Sequence, residues 1–200
     1  MLKIKCRYFN IFCLVVITLS LFFSSACSNK ASVYVPDKFS IKDLSVYTAK
    51  DRKPVTYGMS KEEVEKVVGK PLDDSQTLSN SFSYKGCTIL YRDNKAVLIS
   101  VLSEDNIHEI SLITNRDIKL GDSSGDIALK YGDETMATAN DITFCFQKKN
   151  SSMTLLQTND LNSYSTDSTD IYFIDFYVNR NNNTVSSITI GDRKAISLLR

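Results

Sequence analysis

Hydrophobic and polar positions divide the chain into three kinds of segment. An apolar run extends from Ile11 to Phe23 and is interrupted only by Thr18 and Ser20. Two later segments space their apolar residues three or four positions apart, which is typical of a helix with one buried side. Most other apolar residues lie in short runs, several of which alternate with polar residues as in half-buried strands.

The two helical segments repeat one pattern. Residues 58–69 and 121–132 both read Gly-x-Ser-x-x-x-(Val/Ile)-x-x-x-x-Gly. In each copy the serine, Ser60 or Ser123, can cap the first turn, and an acidic residue three positions later completes a capping box. The final glycine stands where a helix commonly ends in a left-handed residue. The pattern predicts helices over residues 61–68 and 124–131.

Strand-like runs follow each predicted helix. After the first they are Phe82–Tyr84, Cys87–Arg92, Ala96–Leu102 and Ile107–Ile113, and after the second Ile142–Gln147, Met153–Thr158, Ile171–Val178 and Val185–Ile190. The last runs of the two sets match in spacing, and the polar loop 159–170 is the main difference in length. We therefore predict an α+β fold of two tandem repeats, residues 51–114 and 115–191, in which each short helix packs on its own antiparallel β-meander.

This tandem pattern resembles two groups of known proteins. It is similar to the small lipoproteins of the β-barrel assembly machinery and to the secreted β-lactamase inhibitory proteins, both of which use glycine-led short helices with hairpins. The resemblance covers residues 51–191. It implies the fold first, because a fold does not by itself fix a function. For function, it implies either an envelope scaffold or an inhibitor of a secreted enzyme.

The amino-terminal residues have the order of a secretory signal peptide. Three basic residues precede the apolar run, and the small residues Ser24, Ser25 and Ala26 follow it. The run has 13 residues, whereas a helix needs roughly 20 to span a bilayer. We therefore predict that residues 1–26 are a cleaved signal peptide and not a membrane-spanning anchor.

Cys27 gives this signal peptide a more specific interpretation. The stretch from Phe23 to Cys27 resembles the lipobox of bacterial lipoproteins, although Ser24 stands where leucine is usual. The resemblance implies that Cys27 carries a diacylglycerol, becomes the first mature residue and holds the protein on the extracytoplasmic face of the cell membrane. Residues 27–50 are then a tether, within which Phe39–Tyr47 fits either tether or an extra edge strand. Residues 192–200 are predicted to be a carboxy-terminal tail.

Charge and motifs exclude several classes of partner. Without residues 1–26 the formal net charge changes from +1 to −2, which gives no electrostatic reason to expect nucleic acid as a partner. The sequence has neither a glycine-rich phosphate loop nor a CxxC pair. The acids of the loop 159–170 lack the alternating spacing around a glycine that calcium loops use. We predict no cofactor and no metal site.

The segment Gly121-Asp122-Ser123 looks like a hydrolase signature, but we predict no catalytic residue there. A serine nucleophile needs a general base, and the only histidine, His108, lies 15 residues upstream on a predicted strand. A helix cap accounts for the segment equally in both copies. His108 has no second histidine with which to bind a metal. Cys87 and Cys145 are either packed free thiols or a disulfide.

These patterns favour a membrane-anchored, non-catalytic module that binds a protein partner outside the cytoplasm. Two alternatives stay open, an extracytoplasmic enzyme with a carboxylate-based site and a structural spacer. A pocket with two close, buried carboxylates would favour the enzyme. A concave aromatic sheet without a pocket would favour the binding module.

Overall fold

A computed structural model of the chain describes residues 34–72, 80–102, 110–150 and 152–197, which belong to one unit, Tyr34–Arg200. The predicted signal peptide, Cys27 and His108 lie outside the described residues. Their roles stay predictions.

The described residues form short helices and mostly antiparallel strands. The strands are β1 Ser45–Thr48, β2 Pro54–Thr56, β3 Ser81–Tyr84, β4 Cys87–Arg92, β5 Lys95–Leu102, β6 Leu112–Thr114, β7 Met136–Ala137, β8 Asp141–Lys149, β9 Ser152–Leu155, β10 Ile171–Asn179 and β11 Thr184–Asp192. The helices are α1 Lys61–Val68, α2 Ser124–Tyr131, α3 Thr158–Leu161 and α4 Arg193–Ser197, and a 3-10 helix covers Ile41–Leu44. The prediction of an α+β fold is confirmed.

Two sheets organise these elements. The large sheet has the order β3-β4-β5-β11-β10-β8-β7, and β9 pairs with the same edge of β8 as β7 does. The small sheet has the order β2-β1-β6. Every strand pair is antiparallel.

The two faces of the large sheet are covered differently. On one face, which we call the covered face, side chains of the sheet share a core with α1, α2 and the small sheet. The alternate β10 residues Tyr172, Ile174, Phe176 and Val178 all belong to this core, as the alternation predicted. On the other face, which we call the open face, a smaller cluster includes Phe173 of β10 and is covered in part by Leu161 of α3 and Ala195 of α4.

Both predicted helices are confirmed, together with their caps. The Ser60 hydroxyl accepts a hydrogen bond from the amide of Glu63 at 3.3 Å, and the Glu63 carboxylate accepts one from the Ser60 amide at 2.7 Å. Ser123 and Asp126 form the same pair of bonds at 3.2 and 3.0 Å. These reciprocal bonds satisfy amides that the first helical turn leaves without a partner.

The helix ends differ in detail from the predicted left-handed cap. Gly69 and Gly132 have φ of +86° and +85°, but their ψ values are −172° and −147°. This region of positive φ and extended ψ is essentially restricted to glycine, whereas the left-handed helical region also admits asparagine. The chain leaves each helix in an extended direction, so the two positions demand glycine more strictly than expected.

The predicted pairing of each helix with its own sheet is wrong. α1 and α2 pack on one face of a single large sheet. The closing runs also do not correspond, because β6 joins the small sheet while β11 lies between β5 and β10. Two separate meanders would leave β5 and β11 with unpaired edges, and pairing these strands with each other removes both edges.

The structure also differs from the predicted domain boundaries before the first repeat and within and after the second. The segment taken as a tether forms the 3-10 helix and β1, and β1 is the central strand of the small sheet, not an edge strand. The predicted strand Met153–Thr158 ends at Leu155. The loop after it begins with α3, and the predicted tail begins with α4.

A buried ion pair fixes the segment that precedes β1. Arg116 is 2% exposed, and its Nε donates to Oδ1 of Asp43 at 2.8 Å. Its Nη1 donates to the carbonyl of Lys130 at 2.7 Å, at the end of α2. The guanidinium also lies 4.4 Å from the ring centre of Phe39. One side chain therefore connects the chain before β1 to α2.

Candidate binding site on the open face of the sheet

The structure assigns Ser123 to the helix cap. Its Oγ donates to Oδ2 of Asp126 at 2.7 Å and accepts from the Asp126 amide. Both bonds lie within the first turn of α2 and hold the hydroxyl to its own helix. The pKa of the Asp126 carboxyl is lowered, chiefly by the hydrogen bond from the Ser123 hydroxyl.

Cys87 and Cys145 are free, buried thiols on opposite faces of the large sheet. Cys87 belongs to the core of the covered face, and Cys145 belongs to the cluster of the open face. The sheet between them leaves no room for a disulfide. Burial raises the pKa of Cys87 to about 12 and that of Cys145 to about 11, so neither is a ready nucleophile.

The acids of the loop after β9 do not form a metal site. Asp160 accepts from the amide of Gln157 and caps α3. Asp167 and Asp170 are exposed, and their backbone amides donate hydrogen bonds to serine hydroxyls of the same loop. Within the described ranges, no three histidine, cysteine or acidic side chains come together as ligands.

Side chains of the open face form three rows across β5, β11, β10 and β8. The row nearest α4 is Leu98, Gly191, Phe173 and Cys145. The middle row is Ser100, Thr189, Asp175 and Thr143, and the outer row is Leu102, Ser187, Tyr177 and Asp141. A polar row with one carboxylate therefore follows directly on an apolar row.

A pocket of about 440 Å³ lies over the first two rows. Its floor includes Leu98, Ile171, Phe173, Cys145, Thr143, Asp175 and Thr189. Its walls are Met136 of β7, Leu161 and Asn162 at α3, and Arg193 and Ile196 of α4. This volume and mostly apolar lining, with a few convergent polar groups, are typical of a ligand site.

Asp175 is the carboxylate of the pocket. Thr143 Oγ1 donates to Oδ1 of Asp175 at 2.6 Å. Burial raises the pKa of the Asp175 carboxyl, the Thr143 hydrogen bond acts against this, and the nearby charge of Asp141 raises the pKa further. Removing water from a carboxylate disfavours its charged form, so this group gains from any cation that reaches it.

Arg193 lies in the wall of the same pocket. Its Nη1 donates to the carbonyl of Leu161 at 2.8 Å, which joins α4 to α3. Its positive charge acts against the effect of burial on the pKa of Cys145. Arg193 thus holds the wall and places one positive charge at the side of the pocket.

A buried network positions α4 beside the pocket. Asp192, which is fully buried, accepts from Tyr57 Oη at 2.6 Å and from Arg92 Nη2 at 2.5 Å. Its other oxygen caps α4 by accepting from the amide of Ala195 at 2.7 Å. Burial, followed by the hydrogen bond to Asp192, raises the pKa of Tyr57. The network fixes the wall and is itself outside the pocket.

Exposed apolar side chains lie in the walls of the pocket and in the outer row beside it. Met136 and Ile196 in its walls are each 39% exposed, and Leu102 and Tyr177 of the outer row are 36% and 42% exposed. Large exposed apolar side chains grouped on one face indicate an interaction surface, because scattered ones are the norm on soluble proteins.

Sequence reasoning missed this site. It followed the covered-face residues of β10 and passed over Asp175, although the same alternation puts this charged residue among Ile171 and Phe173 on the other face. A carboxylate in an apolar strand pattern was a usable signal. Its neighbours Thr189 and Thr143 could not be found in this way, because they depend on which strands pair.

The chain matches no protein-family model, no curated protein and no solved structure. In the part of the chain that the structure describes, no helix combines the length and apolar character needed to cross a bilayer.

Proposed function

We propose that this chain is a lipid-anchored, extracytoplasmic binding protein that acts by contact with a protein partner and not by catalysis. The observation that carries the proposal is the open face of the large sheet, where exposed apolar side chains lie in the walls of a pocket with one carboxylate and in the outer row beside it. The partner surface that fits this face is apolar with a basic group, because apolar walls and a partly desolvated anion are best matched by these.

The anchoring half of the proposal rests on the order of basic, apolar and small residues before Cys27. Acyl chains on Cys27 would hold the protein at the membrane, since two chains suffice for stable anchoring. An envelope scaffold and an inhibitor of a secreted enzyme are the two forms suggested by the resemblance. Both act through protein contact.

The open face carries a pocket, so the pocketless sheet expected of a binding module is not found, and it is the content of this pocket that favours the binding proposal over a carboxylate-based enzyme. Asp175 is the carboxylate that lines it, and Asp141 lies in the outer row. The paired-carboxylate form of acid–base catalysis, as in glycoside hydrolysis, uses two such groups on either side of a substrate. The pocket supplies one, whose hydrogen bond to Thr143 fixes it on the floor.

We also propose that the fold arose by duplication, with a different strand correspondence from the one predicted. The amide of Gly58 donates to the carbonyl of Ala96 at 2.7 Å, and the amide of Gly121 donates to the carbonyl of Val185 at 2.8 Å. The amides of Ala96 and Val185 in turn donate to the carbonyls of the residues after these glycines, Met59 and Asp122, both at 2.8 Å. β4 and β10 also carry a bulge at the matching place, before Tyr91 and before Val178.

This correspondence equates β3, β4 and β5 with β8, β10 and β11. The sheet order is then symmetrical about the central β5–β11 pair, with β9 and α3 inserted in the second copy. Each copy is a helix followed by three strands, and the open face extends across both.

Site-specific photo-crosslinking in intact cells tests the binding proposal. A benzoylphenylalanine at Met136 or Ile196 should capture one partner at the open face, and the same group at Leu129 of α2, which is 77% exposed, should not. Ile196→Asp should abolish capture from Met136. Capture that is equal from all three positions, or that survives Ile196→Asp, would contradict the assignment of the face.

A second experiment tests the anchor. The wild-type chain should incorporate a fatty-acid label and fractionate with membranes, and Cys27→Ser should do neither. Cys87→Ser is the matched control, because it changes a thiol in the buried core and leaves the lipobox intact. Normal labelling of Cys27→Ser would overturn the anchoring proposal.

A further inference from the structure

Only one of the two oxygens of the Asp175 carboxylate accepts a hydrogen bond from the described part of the chain. Oδ1 accepts the hydrogen bond from Thr143, while Oδ2 accepts none from the residues that the structure describes. Oδ2 therefore offers an acceptor at the floor of the pocket. Oδ2 is not among the buried side-chain atoms without a partner, so it is accessible from the pocket.

No described side chain supplies the missing positive charge. Ion pairs join other residues, and none includes Asp175. Arg193 lines the same pocket, but its hydrogen bond goes to the carbonyl of Leu161. The carboxylate of Asp141 raises the pKa of Asp175, so it makes this part of the floor more negative.

The surroundings of Oδ2 are apolar on one side and hydroxyl-bearing on the other. Phe173 and Leu98 form the apolar row, and Thr189 lies opposite Asp175 on β11. The Thr189 hydroxyl is within 3.3 Å of the hydroxyl of Ser100, so it can present either a donor or a lone pair to the pocket. A ligand in this part of the pocket would contact one carboxylate, one hydroxyl and an apolar wall.

We propose that the pocket binds a primary ammonium group on an apolar stem, with Asp175 as its counter-ion and a lysine side chain of the protein partner as its source. This inference rests on the proposed function, since it names the group that the partner inserts into the open face. The lysine stem would lie along Phe173 and Leu98, as lysine methylenes commonly do on apolar surfaces.

An ammonium fits this carboxylate better than a guanidinium does. Arginine favours carboxylates with both oxygens available for a bidentate pair. Here Thr143 already takes one acceptor site of Oδ1, and Oδ2 is the oxygen with both sites open. An ammonium is a compact charge with three donors, so it can bond to Oδ2 and turn a second donor towards Thr189.

Binding of small probes tests the chemistry directly. The purified full chain is titrated with hexylammonium, hexanol and hexanoate, and binding is followed by calorimetry. We expect hexylammonium to bind about tenfold or more tightly than hexanol, since a charge-assisted bond is worth about 1.4 kcal/mol or more, and hexanoate to bind most weakly. Equal binding of the amine and the alcohol would overturn the proposal.

Two substitutions with opposite expected effects on hexylammonium binding test whether the amine binds at Asp175. Asp175→Asn keeps an oxygen for Thr143 and should remove the preference for the amine over the alcohol. Arg193→Gln removes a positive charge from the pocket wall and should raise the affinity for hexylammonium. Asp93→Asn makes the same chemical change in the exposed turn between β4 and β5 and should alter nothing. If Asp175→Asn leaves the preference intact, the assignment of the counter-ion is wrong.

The crosslinking assay separates this inference from the proposed function. With the crosslinker at Met136, Asp175→Asn should reduce capture of the partner several-fold, and changing one lysine of the partner to methionine should reduce it equally. If Asp175→Asn does not affect capture, the open face is still the binding surface, but the proposal that a partner lysine binds Asp175 is wrong. If the chain binds hexylammonium but Asp175→Asn does not affect capture, the pocket binds a free amine, and the proposal of a partner lysine is likewise wrong.

Discussion

Replacement of Gly132 by alanine tests the contact between α2 and the chain before β1. Gly132 has a backbone conformation that residues with a Cβ rarely adopt. A Cβ built at this position lies 2.2 Å from Oδ1 of Asp37. That oxygen accepts a hydrogen bond from the amide of Asp133 at 3.1 Å, so the alanine forces Asp37 to move and to give up this bond.

Gly69 is the matched control for this substitution. It ends α1 with nearly the same φ, and a Cβ there meets no atom within 4 Å. Gly69→Ala therefore reports the backbone strain alone, which costs about 1–3 kcal/mol. Gly132→Ala has the same backbone strain and also displaces the Asp37 carboxylate, which costs about 1–2 kcal/mol more. We expect the free energy of unfolding to fall by about 2–5 kcal/mol for Gly132→Ala.

Urea denaturation followed by far-ultraviolet circular dichroism measures both losses. Asp37→Gly removes the carboxylate, and glycine suits the positive φ of 62° at this position. In combination with Asp37→Gly, the substitution Gly132→Ala should cost no more than Gly69→Ala does. Equal losses for the two single glycine variants, or strictly additive losses in the double variant, would refute the reasoning.

Three further predictions concern caps and the buried pair. Ser60→Ala and Ser123→Ala should each lower the free energy of unfolding by about 1 kcal/mol in urea denaturation. Arg116→Ala should cost about 3–5 kcal/mol in the same assay, because it leaves Asp43 buried without its cation. The pKa of Asp126 is lowered by the Ser123 hydrogen bond, so its contribution is present at neutral pH and lost as the pH falls below 3.8 towards the folded value. The stability difference between wild type and Asp126→Asn, measured from pH 7 to pH 2.5, should therefore shrink on acidification.

Asp175 links the stability of the fold to its proposed role. Burial raises the pKa of this carboxyl, so the charged form destabilises the folded state at neutral pH. Natural proteins keep such groups where binding requires them, at a cost in stability. The Thr143 hydrogen bond lowers this cost but does not remove it.

The sequence alone determined the features that depend on interactions between residues close together in the chain. The capping boxes at Ser60 and Ser123 use atoms three residues apart, so the helices begin where the pattern says. Their ends depend on one backbone angle that glycine alone tolerates well. The alternation in β10 likewise follows from the geometry of a single strand.

Tertiary structure decided everything that depends on which strands meet. β5 and β11, which are far apart in the sequence, pair with each other because each would otherwise expose an unpaired edge, and no local signal predicts this choice. The β10–β11 pairing places Thr189 beside Asp175, and the β5–β11 pairing adds Leu98 to the same face, so strand pairing creates the floor of the pocket. Sequence alone could identify Asp175 as unusual, but only strand pairing gives it a pocket.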